Sequence, residues 1–367
     1  MSNVLKLYRM LGKSDQQSVY YGPGVGTLGL RKTWGRIGQD IKGVLGLATG
    51  YGLDDDVLGA YRFLARHYNE GDQVFLFGFS RGAYSIRVLA GFIHLLGLFQ
   101  PDQLNYVDYA FNAYKRAATE AEGLKIAWHF RRIVGGQTVP IKFLGVWDTV
   151  ASVIVPRSDR FYIPSFESLP YTLQNPSVEI FRQAAAIDEF RRMFRLQRWK
   201  EGQNFKPDHF SSTAPKDQDS LQLWFAGCHS DIGGGYPEEE SGLSKFPLAW
   251  LIEEALPSGL MIDGSMFAHL VNNQPRNGSE HQYAPPSPTA NLHVSDTGAW
   301  RLLEWLPKRD KWRQWPKRKT FMGLYLPFCE PRLIPEGSFV HASVEARMNA
   351  IPSYRPVNLP QSYTLVP

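Results

Sequence analysis

Cysteine is nearly missing from this chain: Cys228 and Cys329 are the only two in 367 residues. Two such residues make no disulfide framework and no zinc-site spacing, so a reducing compartment of origin is the default reading. Long apolar runs are missing as well. Nothing reaches the roughly 18 uninterrupted apolar residues that a membrane-spanning helix requires. The opening stretch MSNVLKLYRMLGKSDQQ lacks an apolar core and a small-residue cleavage site. No secretory signal is expected, which places synthesis in the cytoplasm and leaves any export to a route without a signal peptide. Nucleotide-binding loops are absent too. Gly233, Gly234 and Gly235, and the glycine-rich stretch 21–29, lack both the Lys-Ser pattern of a P-loop and the spacing of a dinucleotide fingerprint. They read as loops whose backbone approaches a site closely. No internal repeat and no clear linker divides the chain, so a single domain over 1–367 is expected.

What is present is an ordinary globular composition, 43% hydrophobic and 20% charged, enough to bury a core of normal size. Four short apolar stretches read as buried strands: 74–77, 141–146, 221–226 and 18–21. Helical patterns lie between them. Asp54, Asp55 and Asp56 form an acidic start, after which Val57, Leu58, Tyr61, Leu64, Ala65 and Tyr68 repeat on one face. Residues 83–98, 181–199 and 247–256 read as further helices. Strands alternating with helices predict an α/β fold, a mostly parallel sheet covered on both faces. Residues 264–320 differ. They contain NNQPRNGSEHQYAPPSPTANLH, polar and proline-rich, which predicts a long loop, an insertion or lid-like segment on the domain.

The most informative stretch is VFLFGFSRGAYSIRVLAGFI, residues 74–93. Four apolar residues lead into Gly-Phe-Ser-Arg-Gly, and the pattern then turns helical. A strand that ends in Gly-x-Ser-x-Gly and passes straight into a helix is the nucleophile elbow of the α/β hydrolases. Such a bend strains the serine backbone so that the Ser80 hydroxyl projects from the sheet edge. Side chains two positions before and two after are expected to collide with neighbouring strand and helix, which accounts for Gly78 and Gly82. The helix N-terminus then points at the site, and the Arg81 amide is placed to donate to an oxyanion.

A serine hydroxyl is a weak nucleophile at neutral pH and needs a base and an orienting carboxylate. In this fold the order is Ser, then Asp or Glu, then His, each at the carboxyl end of a strand. IKFLGVWDTVAS is an apolar strand ending at Asp148, and LQLWFAGCHSDIGGGY is another, ending at His229 with Asp231 close by. Plainer readings stand beside these. An aspartate after a strand also caps the next turn, and a histidine in a glycine-rich turn is compatible with simple packing. Asp231 is a rival acid, but it follows His229 and so breaks the usual order; bracing its loop is the other role open to it. His341, in FVHASVEARM, is the rival base, late in the chain where the fold usually keeps its histidine. The chemistry calls for no metal and no organic cofactor.

Taken in order, GFSRGAY, GVWDTVAS, AAIDEFRRMF and HSDIGGGYPE resemble the catalytic domain of the bacterial type VI secretion lipase effectors of the first family. VLKLYRML, VYYGPGVGT and HASVEAR add to the likeness, which spans residues 3–347. The resemblance implies an α/β-hydrolase-like phospholipase that cuts acyl esters from glycerophospholipids, with Ser80 as nucleophile, Asp148 as triad acid and His229 as base. It also implies a structural helix over 187–192 whose charges serve as ion-paired scaffold, and a secretion or immunity partner. Members open with an apolar strand and an Asp-Gly-Thr turn ahead of the segment that here begins at Asn3, so a first strand and one oxyanion donor are expected to be missing. A lost donor typically costs about 100- to 1,000-fold in rate. That motivates a second reading, a non-catalytic member binding a membrane or a partner protein on the same scaffold.

The net charge of +5 is unevenly spread. WRLLEWLPKRDKWRQWPKRK, residues 300–319, sets eight Lys/Arg against Glu304 and Asp310 and interleaves Trp300, Trp305, Trp312 and Trp315. Tryptophan favours the membrane–water interface, and each cation near an anionic leaflet contributes on the order of 1 kcal/mol. The segment therefore predicts contact with a membrane surface, against a solvated basic face with packed tryptophans. No nucleic-acid partner is expected, because no known binding fold accompanies the cations.

Overall fold

The computed structural model describes residues 1–23, 52–118, 123–150, 154–156, 164–166, 169–208, 211–295, 301, 304–305, 307–310, 313–315 and 318–367. Among them, six strands form one sheet: β1 (Val74–Phe79), β2 (Ile141–Trp147), β3 (Val178–Ala186), β4 (Asp219–Phe225), β5 (Ser338–His341) and β6 (Tyr363–Val366). Every neighbouring pair is parallel, and the order across the sheet is the order of the sequence. The fold is α/β, with helices on both faces.

Alternation along the strands decides what packs where. Val74 and Leu76 of β1, with Leu144 and Val146 of β2, face helices α2 (Leu53–His67), α3 (Arg81–Leu96), α4 (Val107–Arg116) and α5 (Gly123–Val134). The intervening Phe75, Phe77, Phe143 and Trp147 face the other way. There they meet α1 (Asn3–Met10), α7 (Lys245–Ala255) and α8 (Gly264–Asn272), which contribute Leu7, Met10, Leu248, Leu251 and Leu270. Two further short helices are α6 (His229–Gly233) and α9 (Ala342–Ala350).

Helix α3 is buried nearly all round, which explains its almost unbroken apolar sequence. Among its polar exceptions Arg87 is fully buried beside the stacked rings of Phe181 and Trp199, with guanidinium-to-centroid distances of 5.0 and 5.5 Å. The guanidinium bonds the Gln183 side chain and, at 3.1 Å, the Gln197 carbonyl. It thereby ties the helix that follows Ser80 to the centre of the sheet. Burial lowers its pKa to about 9, still cationic at neutral pH.

Strands are expected at 74–77, 141–146 and 221–226, and β1, β2 and β4 cover all of these residues but Ala226. Two expectations fail. Residues 18–21 form no strand. Residues 181–199 are not a helix: Phe181 lies inside β3, and only Arg192–Phe194 makes a single 3-10 turn. Ala184, Ala185 and Ala186 are good helix formers, but they occupy a central strand covered on both faces, where their small size lets the layers close on them. The predicted excursion 264–320 begins with helix α8, whose Leu270 and Val271 enter the core.

Between β1 and α3 the chain turns on Ser80 alone, at φ 59° and ψ −122°, a left-handed conformation strained for a non-glycine residue. A Cβ on Gly78 would lie 2.6 Å from the Gly82 carbonyl oxygen and 2.7 Å from the Ala83 nitrogen. Glycine is therefore obligatory at 78. A Cβ on Gly82 would meet nothing within 4 Å, so the expected collision there does not occur. Gly78→Ala should accordingly lose about 1–3 kcal/mol of stability through forced backbone shifts. Gly82→Ala should stay within about 1 kcal/mol of wild type. Urea unfolding of the two variants checks the contrast.

Candidate active site

Parallel pairing brings three chain turns to one edge of the sheet. Phe79 pairs with Trp147, Trp147 with Ala184, and Ala186 with Phe225. Ser80 follows β1, Asp148 follows β2, and His229 opens α6 just beyond β4. This carboxyl edge is where open α/β sheets place their ligands. His229 Nε2 lies 2.8 Å from Ser80 Oγ, and its Nδ1 lies 2.5 Å from Asp148 Oδ2. Ser80 is half-buried, while His229 and Asp148 are buried.

Asp148 is held from several directions. Its backbone sits at φ 41°, a second left-handed turn. Its amide continues the sheet by donating to the Ala184 carbonyl at 2.8 Å, and its carboxylate turns back to accept the Ala186 amide at 2.9 Å. Arg332 then closes on it as a two-pronged partner, Nη1 to Oδ1 at 2.5 Å and Nη2 to Oδ2 at 2.9 Å. Burial alone would push the Asp148 carboxyl up, but Arg332 and then His229 outweigh it and hold the group well below the usual carboxylate range. An ionised carboxylate only accepts hydrogen bonds, so His229 Nδ1 carries the proton and Nε2 is left to accept the Ser80 hydroxyl.

Two aromatic rings wall the imidazole. Phe79 lies 4.6 Å from it between centroids, and Phe194 stands edge-on at 4.9 Å. A Cβ on Gly233 would fall 2.0 Å from the Phe79 ring, so this close approach requires glycine at 233, while Gly234 and Gly235 sit at φ 75° and 138°. The turn after β3 supplies a further clamp. Glu189 accepts the His229 amide at 3.2 Å and pairs bidentately with Arg191 at 2.8 and 2.7 Å. Burial raises the Glu189 pKa, and the Arg191 pair more than reverses it. Residues 187–192 are thus a turn and not the helix that the family likeness implied, although the Glu189–Arg191 charges are ion-paired.

The rival residues lie elsewhere in the network. His341 caps α9, its Nδ1 accepting from the Ser343 amide at 3.1 Å, and it stacks on Phe225 at 4.6 Å. Asp231 accepts from the Cys228 amide at 3.1 Å and meets His293 Nδ1 at 2.7 Å, so it braces its own loop. Arg81 opens α3, which places its amide among the first helical N–H groups, those without a partner inside the helix. Arg332 was not singled out from sequence: it sits in irregular chain between two prolines, with no periodicity to mark it. Among the described residues no group of three or more His, Cys, Asp or Glu side chains is arranged to hold a metal ion. Most of the glycine-rich stretch 21–29, together with Trp300 and Trp312, lies outside the described residues.

Fold and site together define a parallel α/β protein with a Ser–His–Asp hydrogen-bonded relay at the carboxyl edge of its sheet. The description "T6SS, Phospholipase effector Tle1-like, catalytic domain" matches residues 1–254, and the chain belongs to that family. A curated relative, the uncharacterized protein YEL023C of Saccharomyces cerevisiae, is 31% identical over 376 aligned positions, covering 71% of this chain and 54% of the relative. A crystal structure of an uncharacterized protein from Pseudomonas aeruginosa covers 71% of this chain and 43% of its own, at 18% identity and a TM-score of 0.33. A Tle1 effector bound to the VgrG spike of a type VI secretion system covers 52% of this chain and 32% of its own, at 22% identity and a TM-score of 0.27. The chain thus spans about half the length of the curated relative it matches.

Burial of His341 has a thermodynamic consequence. Its pKa is lowered from 6.5 to about 4 by desolvation, so the folded protein keeps this ring neutral where the unfolded chain would protonate it. The stability it contributes is complete above pH 6.5 and is lost as pH falls toward 4. His341→Phe should remove up to about 2–3 kcal/mol of that acid-side decline. Urea titrations of both proteins at pH 7 and pH 4.5 compare the slopes.

Proposed function

We propose that this chain is a serine ester hydrolase acting on phospholipid acyl esters. The observation that carries the reading is the unbroken hydrogen-bond path from Ser80 through His229 to Asp148, in a member of a phospholipase effector family. Ser80 Oγ attacks the acyl carbonyl while His229 Nε2 takes its proton. The tetrahedral intermediate carries its negative charge on the former carbonyl oxygen, beside the start of α3, where the Arg81 amide donates. His229 then delivers the proton to the departing alcohol. Water, activated by the same imidazole, releases the fatty acid from Ser80. Asp148 keeps the ring oriented and stabilises the imidazolium.

The basic-aromatic segment supports a lipid surface as the place of work. Trp305 is 63% exposed, Phe321 80% and Met322 85%. Such values are unusual for large apolar groups in water, and the cations around them suit an anionic leaflet. In this reading the chain is made in the cytoplasm and leaves by a route without a signal peptide, carried by a secretion partner and countered by an immunity partner.

Ser80→Ala should reduce turnover of phospholipid and of a short-chain ester by about 1,000-fold or more. It should also abolish labelling by a fluorophosphonate, which marks an activated serine. Equal turnover by variant and wild type would refute the reading. Replacing Trp305, Phe321 and Met322 together by serine should slow hydrolysis of phospholipid in anionic vesicles by about 10-fold or more, with a soluble ester cleaved as before. Vesicle and soluble assays run in parallel separate the two effects.

A further inference from the structure

Arg332 is more than a Ser–His–Asp relay requires, and its geometry gives it a role in the reaction proposed above. Asp148 accepts four donors: the Ala186 amide and Arg332 Nη1 on Oδ1, His229 Nδ1 and Arg332 Nη2 on Oδ2. A carboxylate has about four lone-pair sites, so each is occupied. The group can neither rotate nor turn an oxygen away from the imidazole without breaking a buried bond. Arg332 is itself anchored. Its Nη1 also donates to the Ala186 carbonyl at 3.2 Å and its Nη2 to the Phe194 carbonyl at 2.5 Å. Its own carbonyl accepts Asn358 Nδ2 at 3.0 Å, and the same amide bonds the Ile187 carbonyl at 3.0 Å. Guanidinium and carboxylate are 4% and 0% exposed, so water screens their charges little.

Charge counting gives the second half of the role. With Arg332 present, carboxylate and guanidinium cancel, and a proton taken up by the relay leaves a net positive charge in a desolvated site. Without Arg332, the same proton would neutralise a net negative one and would be held more tightly. The other charged groups around His229 do not upset this balance. Glu189 is matched by Arg191; Asp231 meets His293, which also meets Glu240 and offsets them only when protonated, a contribution common to wild type and the Arg332 variants. Asp188 accepts from the Gly227 amide and the Tyr354 hydroxyl, and Cys228 meets Tyr236. Arg81 faces Asp56, and Arg192 bonds Tyr325 and faces Glu330. We propose that Arg332 is a positioning residue: it locks the Asp148 carboxylate against His229 and sets the lower pH limit of activity by making the relay harder to protonate.

The proposal rests on the Ser80 reading, and its test keeps the two apart. Wild type, Arg332→Met, Arg332→Lys and Ser80→Ala full-length chains are assayed from pH 4 to pH 9 for kcat/KM on a soluble short-chain ester, with fluorophosphonate labelling rates alongside. Arg332→Met should lower turnover at the optimum by about 10- to 100-fold and move the midpoint of the acid limb upward by about one pH unit. Arg332→Lys keeps the charge but not the fork. It should hold the wild-type midpoint and lose turnover. A Met variant with the wild-type acid limb would overturn the proposal while leaving the Ser80 reading intact. If the Met variant does not fold, as judged by circular dichroism, the Lys variant decides. Reduced turnover at the wild-type midpoint supports the proposal; unchanged turnover, or a midpoint displaced by a full pH unit, overturns it. Ser80→Ala turning over as fast as wild type would instead overturn the hydrolase reading and this proposal with it.

Discussion

An ionised carboxylate taken wholly out of water is the constraint around which this edge of the molecule is arranged. Asp148 is 0% exposed, and an unpaired charge in that position would neutralise or unfold the site. The fold answers from four separate places. β3 supplies the Ala186 amide, the turn beyond β4 supplies His229, irregular chain ahead of β5 supplies Arg332, and Asn358 between α9 and β6 fastens Arg332 to Ile187. The parallel register makes this possible, because it brings the ends of β1, β2, β3 and β4 level.

Fixing the carboxylate also fixes the ring. With Asp148 able only to accept, the proton of His229 has one place to sit, and the nitrogen facing Ser80 is free to receive. Phe79 and Phe194 keep the imidazole from tilting. Gly233 permits the first of these contacts, since any side chain there would occupy the space of the Phe79 ring. The strain at Ser80 and Asp148, both at positive φ, is spent on aiming two side chains at one point.

Much of this was legible in the sequence because it is local. A strand, Gly-x-Ser-x-Gly and a helical pattern lie within 20 residues of one another, and Asp148 and His229 each follow an apolar run. Gly78 was legible for the right reason and Gly82 for the wrong one, since the space beside Gly82 is open. β3 was misread because three consecutive alanines favour a helix when neighbours are ignored, whereas two covering layers decide their state. Arg332 left no trace, because its partner is 184 positions away and the chain around it has no period. Nor did the exposure of Phe321 and Met322, which depends on a tight turn in which Phe321 and Leu324 exchange hydrogen bonds.

The long reach from Asp148 to Arg332 has a bearing on biosynthesis. A ribosome releases Ser80, Asp148 and His229 well before Arg332, and Asn358 later still. In the interval the aspartate lacks its strongest buried counter-charge, and the completed edge of the sheet cannot settle around it. The nascent polypeptide therefore carries Ser80, Asp148 and His229 before the cation that pairs with the buried carboxylate exists. Residues 1–254, the span shared with the family, end before the guanidinium that completes the assembly is made.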